Sequence, residues 1–191
     1  GLDDVILVGT SVGGLAALRL CQHNPARVNK LVLIDSAGGG PEISSLVKVA
    51  NLAIAPFLLK PSRMGTRWML RHIYMRGRLP PEEEQALVEY LYLSARRAGA
   101  QFMVHALRLF NGPLGQAEQP RVIDLATVTA PALVVWGARD RFFPPSHATA
   151  LGIRLPDADV VVIEDAGHSP NWEQPDRLAA ALLEFLLRDR H

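Results

Sequence analysis

The sequence predicts an α/β fold in which parallel strands are flanked by helices and interrupted by a helical insertion. Three observations carry that reading. Short β-branched runs alternate with helical stretches near both ends of the chain. The middle of the chain holds no convincing strand. A Gly-x-Ser-x-Gly turn sits directly between the first strand and the first helix.

Val5-Ile6-Leu7-Val8, stopped by Gly9, reads as a buried strand. Small and apolar residues at helical spacing follow from Gly13 to Cys21, and the pattern stops near Asn24-Pro25 because proline disfavours helical backbone in the residue before it. Leu31-Val32-Leu33-Ile34 is a second buried strand, so the first segments form one βαβ unit with parallel strands. At Gly38-Gly39-Gly40-Pro41 the character changes. Helices punctuated by Pro56, Pro61, Pro80-Pro81 and Gly112-Pro113 are expected next. Pro81-Glu82-Glu83-Glu84 fits a helix start, with proline in the first turn and acidic side chains against the helix dipole. The βα pattern resumes with Ala132-Leu133-Val134-Val135-Trp136, ended by Gly137, then a helix over 146–154 and the strand Val160-Val161-Val162-Ile163. A last amphipathic helix over 175–187 buries Leu178, Leu182, Leu183, Phe185 and Leu186. The expected organisation is a core of residues 1–40 and 118–191 carrying a helical cap of residues 41–117.

The strand-to-helix position of Gly9-Thr10-Ser11-Val12-Gly13 gives that pentapeptide its meaning. A turn this tight forces its central residue into strained backbone and leaves the serine hydroxyl exposed at the end of the sheet. Small residues at Gly9 and Gly13 are expected to relieve the crowding. The backbone N–H of Val12 is the expected donor to a developing oxyanion, aided by the positive end of the helix. Serine needs a base, and the base an orienting acid. Gly137-Ala138-Arg139-Asp140 follows one strand and Gly167-His168 the next, which places Asp140 and His168 at the same end of the sheet as Ser11. Asp35, after the second strand, is the other position at which an acid could stand. Asp140 has the better local fit, and Asp35 is read as a structural turn residue.

Ser11, Asp140 and His168 stand in the chain order Ser, Asp, His, and the segments around them resemble the α/β-hydrolase superfamily. The resemblance rests on Val5 to Gly14, on Trp136 to Pro144 and on Asp165 to Pro175, with Gly167-His168-Ser169-Pro170-Asn171-Trp172-Glu173-Gln174-Pro175 matching the histidine loop. It covers roughly half of the chain and is strongest toward the capped branch of small esterases and carbon–carbon bond hydrolases. It implies a serine hydrolase that cleaves ester-like bonds of a small organic substrate through an acyl-enzyme. Two alternatives stand beside that reading: carbon–carbon bond hydrolysis of aromatic degradation, and small-molecule binding without turnover. The resemblance also implies upstream strands and a His-Gly-rich loop with a second oxyanion donor. The chain opens at Gly1 without them, so it is expected to be the C-terminal part of a longer protein, with the missing N-terminal segment as its partner. Alone it should be poorly active or inactive, since one lost oxyanion donor costs about 10²–10³ in rate. Val5 to Val8 should then form an exposed apolar edge.

Composition works mostly by exclusion. With 49% hydrophobic and 20% charged residues among 191, the chain has the balance of a globular domain. A formal charge of +1 gives no field that would favour nucleic acid, and no apolar run reaches the ~18 residues of a membrane span. The lone Cys21 excludes an internal disulfide and is compatible with a reducing, cytoplasmic setting. A small-molecule substrate is the expected partner, and a homo-oligomer is compatible with the sequence. No cofactor or metal is expected, because there is no Gly-rich phosphate loop and no cysteine cluster. Between Lys60 and Arg108 stand nine Lys or Arg against four Glu. A solvated helical face is the expected reading of that excess. The sharper expectation is that Arg96 or Arg97 meets a substrate carboxylate, with Trp172 as a further substrate contact. His72, His105 and His147 are read as surface or cap residues, and Met64, Trp68, Met69, Tyr74 and Met75 as cap core or pocket wall.

Overall fold

A computed structural model of the chain describes residues 2–41, 43, 60–77, 79–111 and 123–188, with backbone alone at 102, 103 and 105–111. Four strands, β1 (Val5–Thr10), β2 (Val28–Ile34), β3 (Ala132–Gly137) and β4 (Ala158–Ile163), form one sheet in that order, every pair parallel. Parallel neighbours require a crossover between them. Helix α1 (Val12–His23) supplies the first and α4 (Ser146–Arg154) the last. Between β2 and β3 lie α2 (Arg63–Met69), continued by a wider π-type turn at Leu70–Tyr74, and α3 (Pro81–Asn111). After β4 come the single turn α5 (Pro170–Glu173) and α6 (Pro175–Leu186).

The central strands read as unbroken apolar runs because both of their faces are covered. Successive side chains point to opposite faces. Leu31, Leu33, Val134 and Trp136 therefore join Leu18 and Cys21 of α1 and Leu151 of α4 in one core. Val32, Ile34, Leu133 and Val135 face the other way and pack with Leu178 and Phe185 of α6. The edge strands alternate instead: Ile6 is 49% and Val8 55% exposed on β1, and Val160 and Val162 are exposed on β4.

Strand β2 starts three residues before its apolar run because Lys30, despite its charge, is buried. Its Nζ donates to the carbonyls of Phe185 (3.0 Å), Leu186 (2.8 Å) and Arg188 (2.8 Å), which satisfies the three ammonium donors and places a cation at the C-terminus of α6. His147 is also placed differently from its expected surface position. It is 1% exposed, on the inward face of α4, against Trp136 and Phe143.

Where residues 41–117 are described within regular elements they are helical, and α3 starts at Pro81 with Glu82, Glu83 and Glu84 in its first turn. Gly99, at φ 81° and ψ 157°, breaks α3 into 81–98 and 100–111. Pro56, Gly112-Pro113 and the C-terminal border of the expected insertion lie outside the described residues, as does the His105 side chain. Met75 is buried with Leu70, Leu87 and Val88, whereas Met64 is exposed and Trp68 half exposed, stacked on His72. Among the described residues no helix is long and apolar enough to cross a membrane.

Candidate active site

The turn from β1 into α1 holds Ser11 at φ 53° and ψ −121°, backbone that an L-residue adopts only when its surroundings impose it. Three backbone hydrogen bonds do so: Ser11 N–H donates to the Ile34 carbonyl (3.0 Å), and the Ser11 carbonyl accepts from Gly14 (3.1 Å) and Ala37 (3.0 Å). The crowding falls on Gly9 and Gly14 and not on the expected pair Gly9 and Gly13. A Cβ on Gly9 would lie 2.5 Å from the Gly13 carbonyl oxygen and one on Gly14 2.1 Å from Ser36 Oγ, whereas a Cβ on Gly13 would meet nothing within 4 Å. Close packing of the helix start against the β2 turn, through Ser36, makes the difference. Val12 opens α1, so its N–H belongs to the first turn, which has no intrahelical acceptor.

The turns after β3 and β4 bring the other two residues to this strand end. Gly137 closes β3 so near the histidine loop that a Cβ there would sit 1.9 Å from the Gly167 carbonyl oxygen. His168 Nε2 lies 3.1 Å from Ser11 Oγ, and His168 Nδ1 lies 2.7 Å from Asp140 Oδ2. Asp140 Oδ1 accepts from the N–H groups of Phe142 (2.6 Å) and Phe143 (3.1 Å), which fixes the carboxylate before histidine binds it. Both side chains are buried, and the imidazole is walled by the rings of Phe142, Phe143 and Tyr74 at 5.0, 5.3 and 5.7 Å. A hydroxyl on an imidazole on a carboxylate is the arrangement that makes serine a nucleophile.

Asp35 occupies the corresponding position after β2, fully buried, at φ 42°. Its Oδ1 accepts from Gly137 N–H (2.9 Å), while its buried Oδ2 receives no donor from the described residues. Burial, and then the neighbouring Asp140 charge, hold the Asp35 carboxyl well above the usual carboxylate range. Among the described residues, Asp35, Asp140 and His168 are the grouping whose ligand-type atoms lie close enough to share an ion, all within 4.8 Å. Hydrogen bonds to His168, Phe142 and Phe143 engage the Asp140 oxygens.

Sequence reasoning assigned no role to Glu173, which the structure makes a clasp between core and cap. Its Oε1 accepts from Gly167 N–H (2.7 Å), next to His168. Its Oε2 accepts from the N–H groups of Arg76 (2.5 Å) and Gly77 (2.7 Å) in the segment that follows the π turn. The Tyr74 carbonyl adds a second tie, accepting from His168 N–H at 2.7 Å. The only sequence signal was an acid placed six residues after Gly167 in a turn-rich loop.

Ser11 and His168 open into a cavity of about 650 Å³. From the core side Thr10, Ser169, Asn171 and Trp172 line it. From the cap come Thr66, Met69, Leu70, Tyr74 and one face of α3. That face is Leu87, Leu91, Ser94, Ala95 and Ala98, at the spacing of a single helical stripe. The structure brings Trp172 to the cavity, but not Arg96 or Arg97. At about 100° per residue they are turned by about 100° and about 160° from Ala95, off the lining stripe, and are exposed to solvent.

Residues 1–181 match the alpha/beta hydrolase family, and the chain belongs to that family. It is 30% identical over 188 residues to 2-hydroxy-6-oxononadienedioate/2-hydroxy-6-oxononatrienedioate hydrolase 1 of Dechloromonas aromatica, covering 97% of this chain and 63% of that protein. Among solved structures it superposes with a TM-score of 0.79, at 22% identity, on 2-hydroxy-6-oxo-6-phenylhexa-2,4-dienoate hydrolase from Rhodococcus sp. strain RHA1, covering 98% and 66% of the two chains. That likeness shows the shared fold. A thermophilic esterase from Thermogutta terrifontis superposes with a TM-score of 0.70 at 27% identity, covering 96% and 65%. The chain thus spans somewhat under two thirds of the length of these relatives.

Proposed function

We propose that the protein containing this chain is a serine hydrolase in which Ser11 Oγ attacks a substrate carbonyl while His168 Nε2 takes its proton. The linked contacts of Ser11, His168 and Asp140, at 3.1 and 2.7 Å beside the cavity, carry this reading. Asp140 holds the Nδ1–H tautomer and stabilises the imidazolium, and the Val12 N–H receives charge on the carbonyl oxygen. His168 then returns the proton to the leaving group, and water, activated by the same histidine, releases the acyl group from Ser11. In this reading residues 1–40 and 118–191 form the core and residues 41–117 a cap that shapes the cavity.

At the level of substrate, the curated relatives favour carbon–carbon bond hydrolysis over the ester cleavage expected from sequence, since 2-hydroxy-6-oxo-dienedioates name their activities. One observation keeps the ester reading as the second. The described cavity lining contains no Lys or Arg, and the cap supplies mainly apolar side chains, whereas a dicarboxylate calls for a cation. Turnover of a 2-hydroxy-6-oxo-dienoate and of a series of p-nitrophenyl esters by the intact protein separates the two. A preference for the dienoate sustains carbon–carbon cleavage, and a preference for esters replaces it. If neither substrate reacts and a fluorophosphonate fails to label Ser11 in folded protein, the hydrolase reading falls and non-catalytic binding takes its place.

A further inference from the structure

The mechanism above uses one of the two buried acids at the sheet end. We infer that Asp35 is a positioning residue that keeps its proton and donates it in a hydrogen bond to the Asp140 carboxylate, so that the pair carries a single negative charge aimed at His168. The geometry leaves few other arrangements. Asp35 Oδ1 is occupied by the Gly137 N–H, at 2.9 Å. Oδ2 is buried without a donor among the described residues, while Asp35, Asp140 and His168 offer atoms mutually within 4.8 Å. Two ionised carboxylates this close and this deep repel each other, and a proton held between them removes the repulsion. Asp140 then has Phe142 N–H and Phe143 N–H on Oδ1, His168 on Oδ2, and Asp35 as an additional donor to the carboxylate. The remaining titratable group acting on Asp35 is Glu173, whose charge also favours the protonated form.

The backbone supports the same assignment. Asp35 sits at φ 42°, with its N–H donating to the Val135 carbonyl (3.0 Å), so the strand ends of β2 and β3 hold the two acids against each other. Asparagine fits this site as a neutral donor, whereas alanine leaves the Asp140 charge short of one partner.

The catalytic consequence rests on the triad reading, but the shared proton does not, so two measurements on the intact protein keep them apart. Infrared difference spectra between wild type and Asp35→Asn at about pH 8 should contain the C=O stretch of a neutral carboxylic acid, lost in the variant. Absence of that band overturns the shared proton whether or not the protein turns over substrate. Acylation by a fluorophosphonate should fall about tenfold to a hundredfold in Asp35→Ala, the cost of one hydrogen bond to a buried charge, and return to near wild type in Asp35→Asn. Equal rates in the two variants overturn the positioning role. If Asp35→Ala does not fold, the pH dependence of Asp35→Asn decides. An acid whose folded pKa lies above its unfolded one loses stability as pH rises from the unfolded value toward the folded value. The melting temperature of Asp35→Asn relative to wild type should therefore climb as pH rises above about 4, the ordinary aspartate value, and a flat difference counts against the proposal.

Discussion

The floor and the roof of the cavity are built on different principles. On the floor, Ser11 and Asp140 are held by backbone hydrogen bonds from neighbouring strand ends and turns and His168 by its N–H on the Tyr74 carbonyl, and among the described residues the rings of Phe142, Phe143 and Tyr74 contact the imidazole. The roof is a stripe of α3 with Met69 and Leu70, whose side chains contribute shape and little hydrogen bonding. On the proposed function the floor governs what reaction can occur, and the roof which molecule is admitted. Such a division lets one fold serve many substrates.

That contrast breaks most sharply at the floor. Ser11→Ala and His168→Ala should each lower kcat by on the order of 10⁵–10⁶ and abolish fluorophosphonate labelling, while binding of an uncleaved substrate analogue persists. Asp140→Asn should cost about 10⁴ in kcat, because an amide favours the wrong imidazole tautomer. If these variants instead change KM alone, the floor is a binding surface and the distinction fails.

Glu173 joins the two regions, so its loss should register in both. Glu173→Ala leaves the N–H groups of Arg76, Gly77 and Gly167 without their shared acceptor. We expect a loss of about 2–4 kcal/mol in stability, read by urea unfolding, and a smaller fall in kcat as the histidine loop loosens. A variant of unchanged stability would mean that the remaining ties, among them the Tyr74–His168 backbone bond, Arg76 Nε on the Arg139 carbonyl and Tyr74 stacked on Phe142, suffice to hold the cap to the core.

At the roof the effects should be smaller and of another kind. Ala95→Phe, on the lining stripe, should raise KM for bulky substrates about tenfold with kcat nearly intact, since one filled subsite is worth about 1–3 kcal/mol. Arg96→Ala and Arg97→Ala should change neither constant by more than about twofold, exposed surface positions being close to neutral. A large rise in KM for a carboxylate substrate in either arginine variant would mean that α3 turns its other face toward the substrate.

What the sequence by itself determined is local in the chain. Strand, tight turn and helix lie within residues 5–23, and the acid and base each follow their own strand by a few residues, so the placement of Ser11, Asp140 and His168 at one sheet end was legible from pattern. The buried runs of β2 and β3 were legible for the same reason, because burial on both faces leaves its mark on every residue of a strand. The tertiary structure alone decided the rest. Lys30 reads as a surface charge until it meets carbonyls 155 to 158 residues away. Glu173 finds its donors 96 and 97 residues back, and Asp35 meets Gly137 across 102. Arg96 and Arg97 differ from Ala95 only in the rotation of one helix against a cavity. Each of these depends on which segments fold against each other, and a polar side chain carries no sign of its partner in its own neighbourhood of the sequence.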